Sequence, residues 1–230
     1  QDTRLVVQNA LLFAAQWDSP FTAESTQQED FTLAGGKTVK ADLMHDTRSI
    51  PHATGKGWAA VRLAYASGED GRDSDLALDV VLPDAGTLPS AMDAGTWAEA
   101  SKALDKAQAK EVRLALPKLD LTSYPKELLE FVQEQGLKTA GLDKIAPLLE
   151  LTQVVQQVRL ILDEEGTVAA ALSEAKVGIG AAPGQEPPPE PITFTVDHPY
   201  VLRLRDLTSG TALLEAAVMD PTVKEIGDPA

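Results

Sequence analysis

The chain has 230 residues, 43% of them hydrophobic and 24% charged, with a formal net charge of -15 at pH 7 and no cysteine. That length can bury one sizeable core or two small ones, and the composition is that of an ordinary globular protein. The acidity argues against nucleic acid and against an anionic membrane surface as partners, the missing thiols exclude disulfides and thiolate metal or redox sites, and no apolar run is long enough to span a bilayer.

Leu5 to Phe13, LVVQNALLF, is an apolar run of strand length and is expected to be buried on both faces. Asn9 interrupts it, so it is either a hydrogen-bonding hub or a sign that the run is only half buried. Phe31-Thr32-Leu33 and Thr38-Val39-Lys40 flank Gly35-Gly36 and predict a hairpin. Trp58 to Tyr65 and Leu76 to Leu82 read as strands, the second stopping at Pro83-Asp84. Ser90 to Gln108, rich in Ala, Glu and Lys, reads as one or two helices. Glu111 to Pro117 returns to strand alternation, and Tyr124 to Gln135 predicts a helix with Leu128, Leu129 and Val132 on one face and Gly136 closing it.

Val154 to Leu162 predicts a strand that runs into an acidic turn, Glu164-Glu165-Gly166, and then a run of small residues. Thr167, Ala169, Ala171, Ser173, Ala175 and Val177 alternate with positions that include Glu174 and Lys176, so this loop carries a strand's two-residue period. A Gly/Ala/Pro-rich tail follows, whose prolines from Pro187 to Pro189 suit a stiff spacer. Ile192 to Val196, Tyr200 to Arg205 and Thr211 to Val218 close the chain as strands, with a turn at Thr208-Ser209-Gly210 between the last two. Many strands, few helices and no regular βαβ alternation favour an α+β fold with mainly antiparallel sheets.

Few constellations in the chain point to catalysis or cofactors. The three histidines, His45, His52 and His198, are too scattered for a spacing-defined metal site. No nucleophile elbow or Ser/His/Asp cluster is present, which argues against a hydrolase. Gly178-Ile179-Gly180 lacks the third glycine and the following helix of a dinucleotide loop. No cofactor is expected.

EEGT with its small-residue run and proline-rich tail, the Asp197-His198-Pro199-Tyr200 segment and Leu202-Arg203-Leu204-Arg205-Asp206 together resemble the hinge, reactive loop and closing strands of a serpin. The resemblance covers nearly all of the chain but only the C-terminal part of the family's single domain, without its N-terminal helices. It implies that residues 1–230 are part of one such domain, with the N-terminal remainder as a partner, and that 164–191 form hinge and exposed loop.

What the resemblance further implies is a serine protease inhibitor acting as a suicide substrate, secreted, and not itself an enzyme. The hinge would be Glu164, Glu165, Gly166, Thr167, Val168, Ala169, Ala170 and Ala171. Family spacing puts cleavage near Gly180-Ala181, within Ile179, Gly180, Ala181 and Ala182, which lack a large anchor and suit an elastase-like or subtilisin-like pocket. Asn9, Trp17 and Gln156 would control sheet opening, Gln156 standing where the family commonly has histidine. Val168 and Leu172 are bulkier than the family's usual hinge residues, and a non-inhibitory binding or structural protein, or an inactive fragment, is the alternative.

Overall fold

A computed structural model describes residues 4–13, 15–66, 75–123, 126–139, 142, 144–145, 149–167 and 190–226. In chain order the strands are β1 (Arg4–Leu12), β2 (Ala15–Gln16), β3 (Gln27–Thr32), β4 (Thr38–Gly55), β5 (Trp58–Ala64) and β6 (Leu76–Pro83). Helix α1 (Ala94–Lys106) precedes β7 (Ala109–Pro117), β8 (Leu119–Ser123) and β9 (Lys126–Glu127). Helix α2 (Leu129–Glu134) is followed by β10 (Glu150–Leu162), β11 (Gly166–Thr167), β12 (Ile192–Thr195), β13 (Tyr200–Asp206), β14 (Ala212–Val218) and β15 (Glu225–Ile226). The folded chain is α+β, with mostly antiparallel pairings.

Two compact units emerge, one of Gln1–Phe13, Asp120–Ile161 and Val223–Ala230, the other of Ala14–Leu119 and Leu162–Thr222. The first carries a sheet in the order β1-β10-β8-β15, with β9 also on β10. Here β1 and β10 run parallel, and their register sets Asn9 opposite Gln156. Burial of β1 on both faces, expected from its apolar run, does not hold: Val6 is 45% and Val7 43% exposed. Successive strand residues point to opposite faces, so both faces of β1 meet solvent there. The expected helix from Tyr124 to Gln135 is also shorter. Lys126–Glu127 pair with β10 instead, and α2 spans six residues before Gly136 takes φ 90° and ends it. Its Leu128, Leu129 and Val132 are half-buried while Phe131 is 57% exposed, so the predicted face exists but covers little.

The second unit holds a sheet in the order β12-β7-β4-β5-β6-β13-β14, with β3 also on β4. The 18-residue β4 reaches across it, pairing β3 through Thr38–Leu43, β7 through Leu43–Pro51 and β5 through His52–Gly55. Strand β5 is buried at most positions, and α1 packs Ala100 and Leu104, four residues apart, onto Trp58, Ala60 and Val81. Asp93 caps that helix by accepting from the Thr96 N–H at 2.7 Å.

Candidate functional site

Beyond Leu162 the chain turns tightly. The Asp163 carboxylate accepts from the amides of Glu165 and Gly166 at 3.0 and 3.1 Å, and the Asp163 N–H donates to the Gly166 carbonyl at 2.9 Å. A short polar side chain that satisfies its own following amides favours such a turn. The turn returns the chain as β11, antiparallel to β2, with Gly166 opposite Gln16 and Thr167 opposite Ala15. Gly166 is required there by space: a Cβ would collide with the Ala15 carbonyl oxygen and lie 2.7 Å from the Gln16 Cα.

The segment after β2 receives the turn. The Trp17 N–H donates to the Glu165 carbonyl at 2.9 Å, the Trp17 indole N–H to the Asp163 carbonyl at 3.0 Å, and the Phe21 N–H to the Glu164 carbonyl at 2.7 Å. The carbonyls of Asp163, Glu164 and Glu165 are thereby held by one five-residue stretch, Trp17 to Phe21. Trp17 is 1% exposed, stacked on Tyr65 at 4.7 Å and edge-on to Phe21 at 6.4 Å.

Two side chains of the turn are also caught. Glu164 accepts from the Thr26 hydroxyl at 2.7 Å and from the Lys118 ammonium at 2.6 Å. Burial pushes its carboxyl pKa up, but the bonds from Lys118 and Thr26 outweigh that and hold it below the usual range. Thr167 is 1% exposed, its hydroxyl 3.0 Å from that of Tyr65. Burial raises the Tyr65 pKa far above its ordinary value, more than the bond to Thr167 lowers it, so the phenol stays neutral. The polar groups of the site grip backbone and one carboxylate, which is the chemistry of positioning a strand.

Glu164, Glu165, Gly166, Thr167 and Trp17 are thus brought together. Asn9 and Gln156 face one another in the β1–β10 register, Gln156 half-buried. Val168, Ala169, Ala170 and Ala171, and the cleavage region Ile179, Gly180, Ala181 and Ala182, lie outside the described residues. Sequence reasoning missed Thr26, Tyr65, Lys118, Phe21 and Asp163. Only Asp163, three residues before a glycine, carried a local signal. The Asp197-His198 segment is pinned separately: His198 Nδ1 lies 2.7 Å from the Asp197 carboxylate and Nε2 2.7 Å from the Pro83 carbonyl.

Comparison with known proteins gives one answer throughout. Residues 1–221 match the family described as serpin (serine protease inhibitor). Serpin-Z2B of Triticum aestivum is 28% identical over 238 residues, a match that covers 95% of this chain and 56% of the relative. A serpin from the trematode Schistosoma haematobium superposes with a TM-score of 0.75 at 21% identity, over 94% of this chain and 56% of that one. Human thyroxine-binding globulin, solved with its ligand, gives a TM-score of 0.74 at 20% identity with the same coverage. The chain therefore spans about half the length of the relatives it matches.

Proposed function

The chain belongs to the serpin family, corresponding to the C-terminal portion of its domain, and from that premise we propose that the whole protein inhibits serine proteases as a suicide substrate. The observation that carries this reading is β11: Gly166 and Thr167 are already paired antiparallel to β2, with Thr167 buried, at the mouth of the loop. A two-residue strand leading into the loop supports a loop that can extend as a strand.

In the proposed reaction the protease's serine oxygen adds to the scissile carbonyl, the peptide C–N bond breaks, and the departing amine takes the proton. The hinge side of the loop remains esterified to the protease. Freed at its far end, the loop is taken up as a new strand between β1 and β10. These two strands are parallel neighbours, and a chain that reverses after β10 enters between them antiparallel to both. One parallel pairing is exchanged for two antiparallel ones, which supplies driving force. Small residues at Ala169, Ala171, Ser173 and Ala175 let such a strand pack without a buried charge.

Within this reading Val168, Ala170 and the other hinge positions form the inserting segment, Asn9 and Gln156 close the gap that must open, and cleavage falls among Ile179, Gly180, Ala181 and Ala182. The absence of a large anchor there fits a small primary pocket, elastase-like or subtilisin-like. The N-terminal remainder of the domain completes the fold, residues 164–191 act as hinge and loop of a single domain, and the protein works outside the cell. The family acts on proteases without itself turning over substrate. A non-inhibitory binding role is the second reading, favoured by the bulky Val168 and Leu172 and by a binding globulin among the structural neighbours.

The test uses the intact protein, N-terminal part included, mixed with pancreatic elastase or subtilisin and run on a denaturing gel. A band near the summed masses is expected. Full cleavage of the loop without that band would refute inhibition and support the second reading instead.

A further inference from the structure

Arg48 lies on β4, and its side chain is only 9% exposed. Three surfaces enclose its guanidinium. Nε donates to the Asp46 carboxylate at 2.9 Å, and Nη2 lies 2.6 Å from the same oxygen. Nη1 donates to the Ser19 carbonyl at 2.8 Å, and the guanidinium carbon sits 4.0 Å from the Phe21 ring centroid. One charged group therefore joins β4 to Ser19 and Phe21 by a carboxylate, a carbonyl and a ring face. A planar guanidinium offers that combination and an ammonium does not.

Phe21 is the residue whose N–H holds the Glu164 carbonyl, at 2.7 Å. The stretch that receives the turn thus has two anchors. Its Trp17 end is tied to β5 and Tyr65 through the Asp18 N–H on the Ala64 carbonyl and the Trp17–Tyr65 bridge. Its Phe21 end is met by Arg48. We infer that Arg48 is a positioning residue for the hinge: by fixing Phe21 it fixes the turn about which the loop swings, and so sets how often a cleaved loop inserts before the acyl bond is hydrolysed. This rests on the reading of Asp163–Thr167 as the hinge of an inhibitor.

Without Arg48 the Glu164 carbonyl loses a fixed donor and Gly166–Thr167 lose their defined starting register. Insertion slows while hydrolysis of the ester proceeds at the protease's own rate, so more inhibitor is consumed as substrate. The Asp18 N–H is held by the Ala64 carbonyl, a bond to which Arg48 does not contribute, so the disturbance is concentrated at Phe21, whereas general destabilisation would reach both amides.

The experiment compares the intact protein with its Arg48→Met and Arg48→Lys variants. Site-resolved amide hydrogen exchange is read at Phe21 and Asp18, and titration against the protease gives the moles of inhibitor consumed per mole silenced. In Arg48→Met we expect exchange at Phe21 at least tenfold faster, exchange at Asp18 within twofold of the parent, and consumption raised severalfold. Arg48→Lys keeps the charge without the fork and should fall between. Unchanged exchange at Phe21, or equal acceleration at both amides, would overturn the proposal, as would Arg48→Met with faster Phe21 exchange but unaltered consumption. If the parent itself is cut without trapping protease, the inhibitor reading fails and with it the role in insertion, while faster exchange at Phe21 alone still upholds Arg48 as the residue that fixes Phe21.

Discussion

Glu164 is bound at both carboxylate oxygens, by Thr26 and by Lys118, in the turn that follows β10. Its side chain is 13% exposed and that of Lys118 38%, so the pair is only partly screened by water. The pKa of Glu164 is lowered in the folded chain, hence the contact stabilises fully above the ordinary value of 4.5 and is lost as pH falls from there through the lower folded value. Lys118→Met should cost about 1–2 kcal/mol at neutral pH, the worth of a charge-assisted bond in a half-buried place. It should also flatten the part of the acid limb that Glu164 contributes. Thermal midpoints measured from pH 7 down to pH 3 check this, and an unchanged acid slope in the variant would refute the assignment. Neither oxygen's partner was legible in the chain, because Lys118 and Thr26 stand 46 and 138 residues from Glu164.

Helix α1 is joined to the sheet by charge as well as by its apolar face. Asp105 on the helix lies 2.9 Å from Arg62 of β5 and 2.9 Å from Arg205 of β13, and both arginines also face Asp79 of β6, at 2.6 and 3.6 Å. The two carboxylates differ in burial, Asp79 being 1% exposed and Asp105 44%. Removing the first leaves two arginines under-compensated inside the unit, at a cost of about 3–5 kcal/mol, whereas water can replace much of the second, at about 1 kcal/mol or less. Asp79→Asn should therefore lower the urea midpoint several times further than Asp105→Asn. Equal shifts would mean that the helix contact, not the buried carboxylate, carries the network. Pattern reasoning reached α1 and the strands beneath it through their periods, but found Leu202-Arg203-Leu204-Arg205-Asp206 only as a motif. The motif acquires its physical content from Asp79 and Asp105, which are brought to it by the antiparallel pairing of β6 with β13 and by the packing of α1.

The 230 residues present an apolar edge. Strand β1 ends the order of its sheet, and Val6 and Val7, on opposite faces, are each more than two-fifths exposed. An uncovered edge strand with apolar faces templates association. These residues alone should self-associate at concentrations on the order of 10 µM, and Val6→Lys with Val7→Thr should suppress it. Sedimentation velocity decides, and monodisperse monomer of the parent chain would contradict the prediction.

What the amino-acid order determined by itself is what short-range physics writes into a chain. The alternation of Trp58 to Tyr65 and Glu111 to Pro117 and the stop of Leu76 to Leu82 at Pro83-Asp84 place those strands, Gly35-Gly36 places a hairpin, and Glu164-Glu165-Gly166 places the turn after β10. Periods and turn residues act over a few positions, so they are visible without the fold. The tertiary structure alone decided that Val6 and Val7 of β1 would be exposed and that Lys126–Glu127 would leave the predicted helix to pair with β10. It also decided that Trp17, Tyr65 and Lys118 would converge on Asp163, Thr167 and Glu164 from 146, 102 and 46 residues away. Such contacts depend on which strands lie side by side, and no local propensity encodes that. Burial follows the same rule, since an apolar run states what a strand can tolerate while only its neighbours settle what covers it.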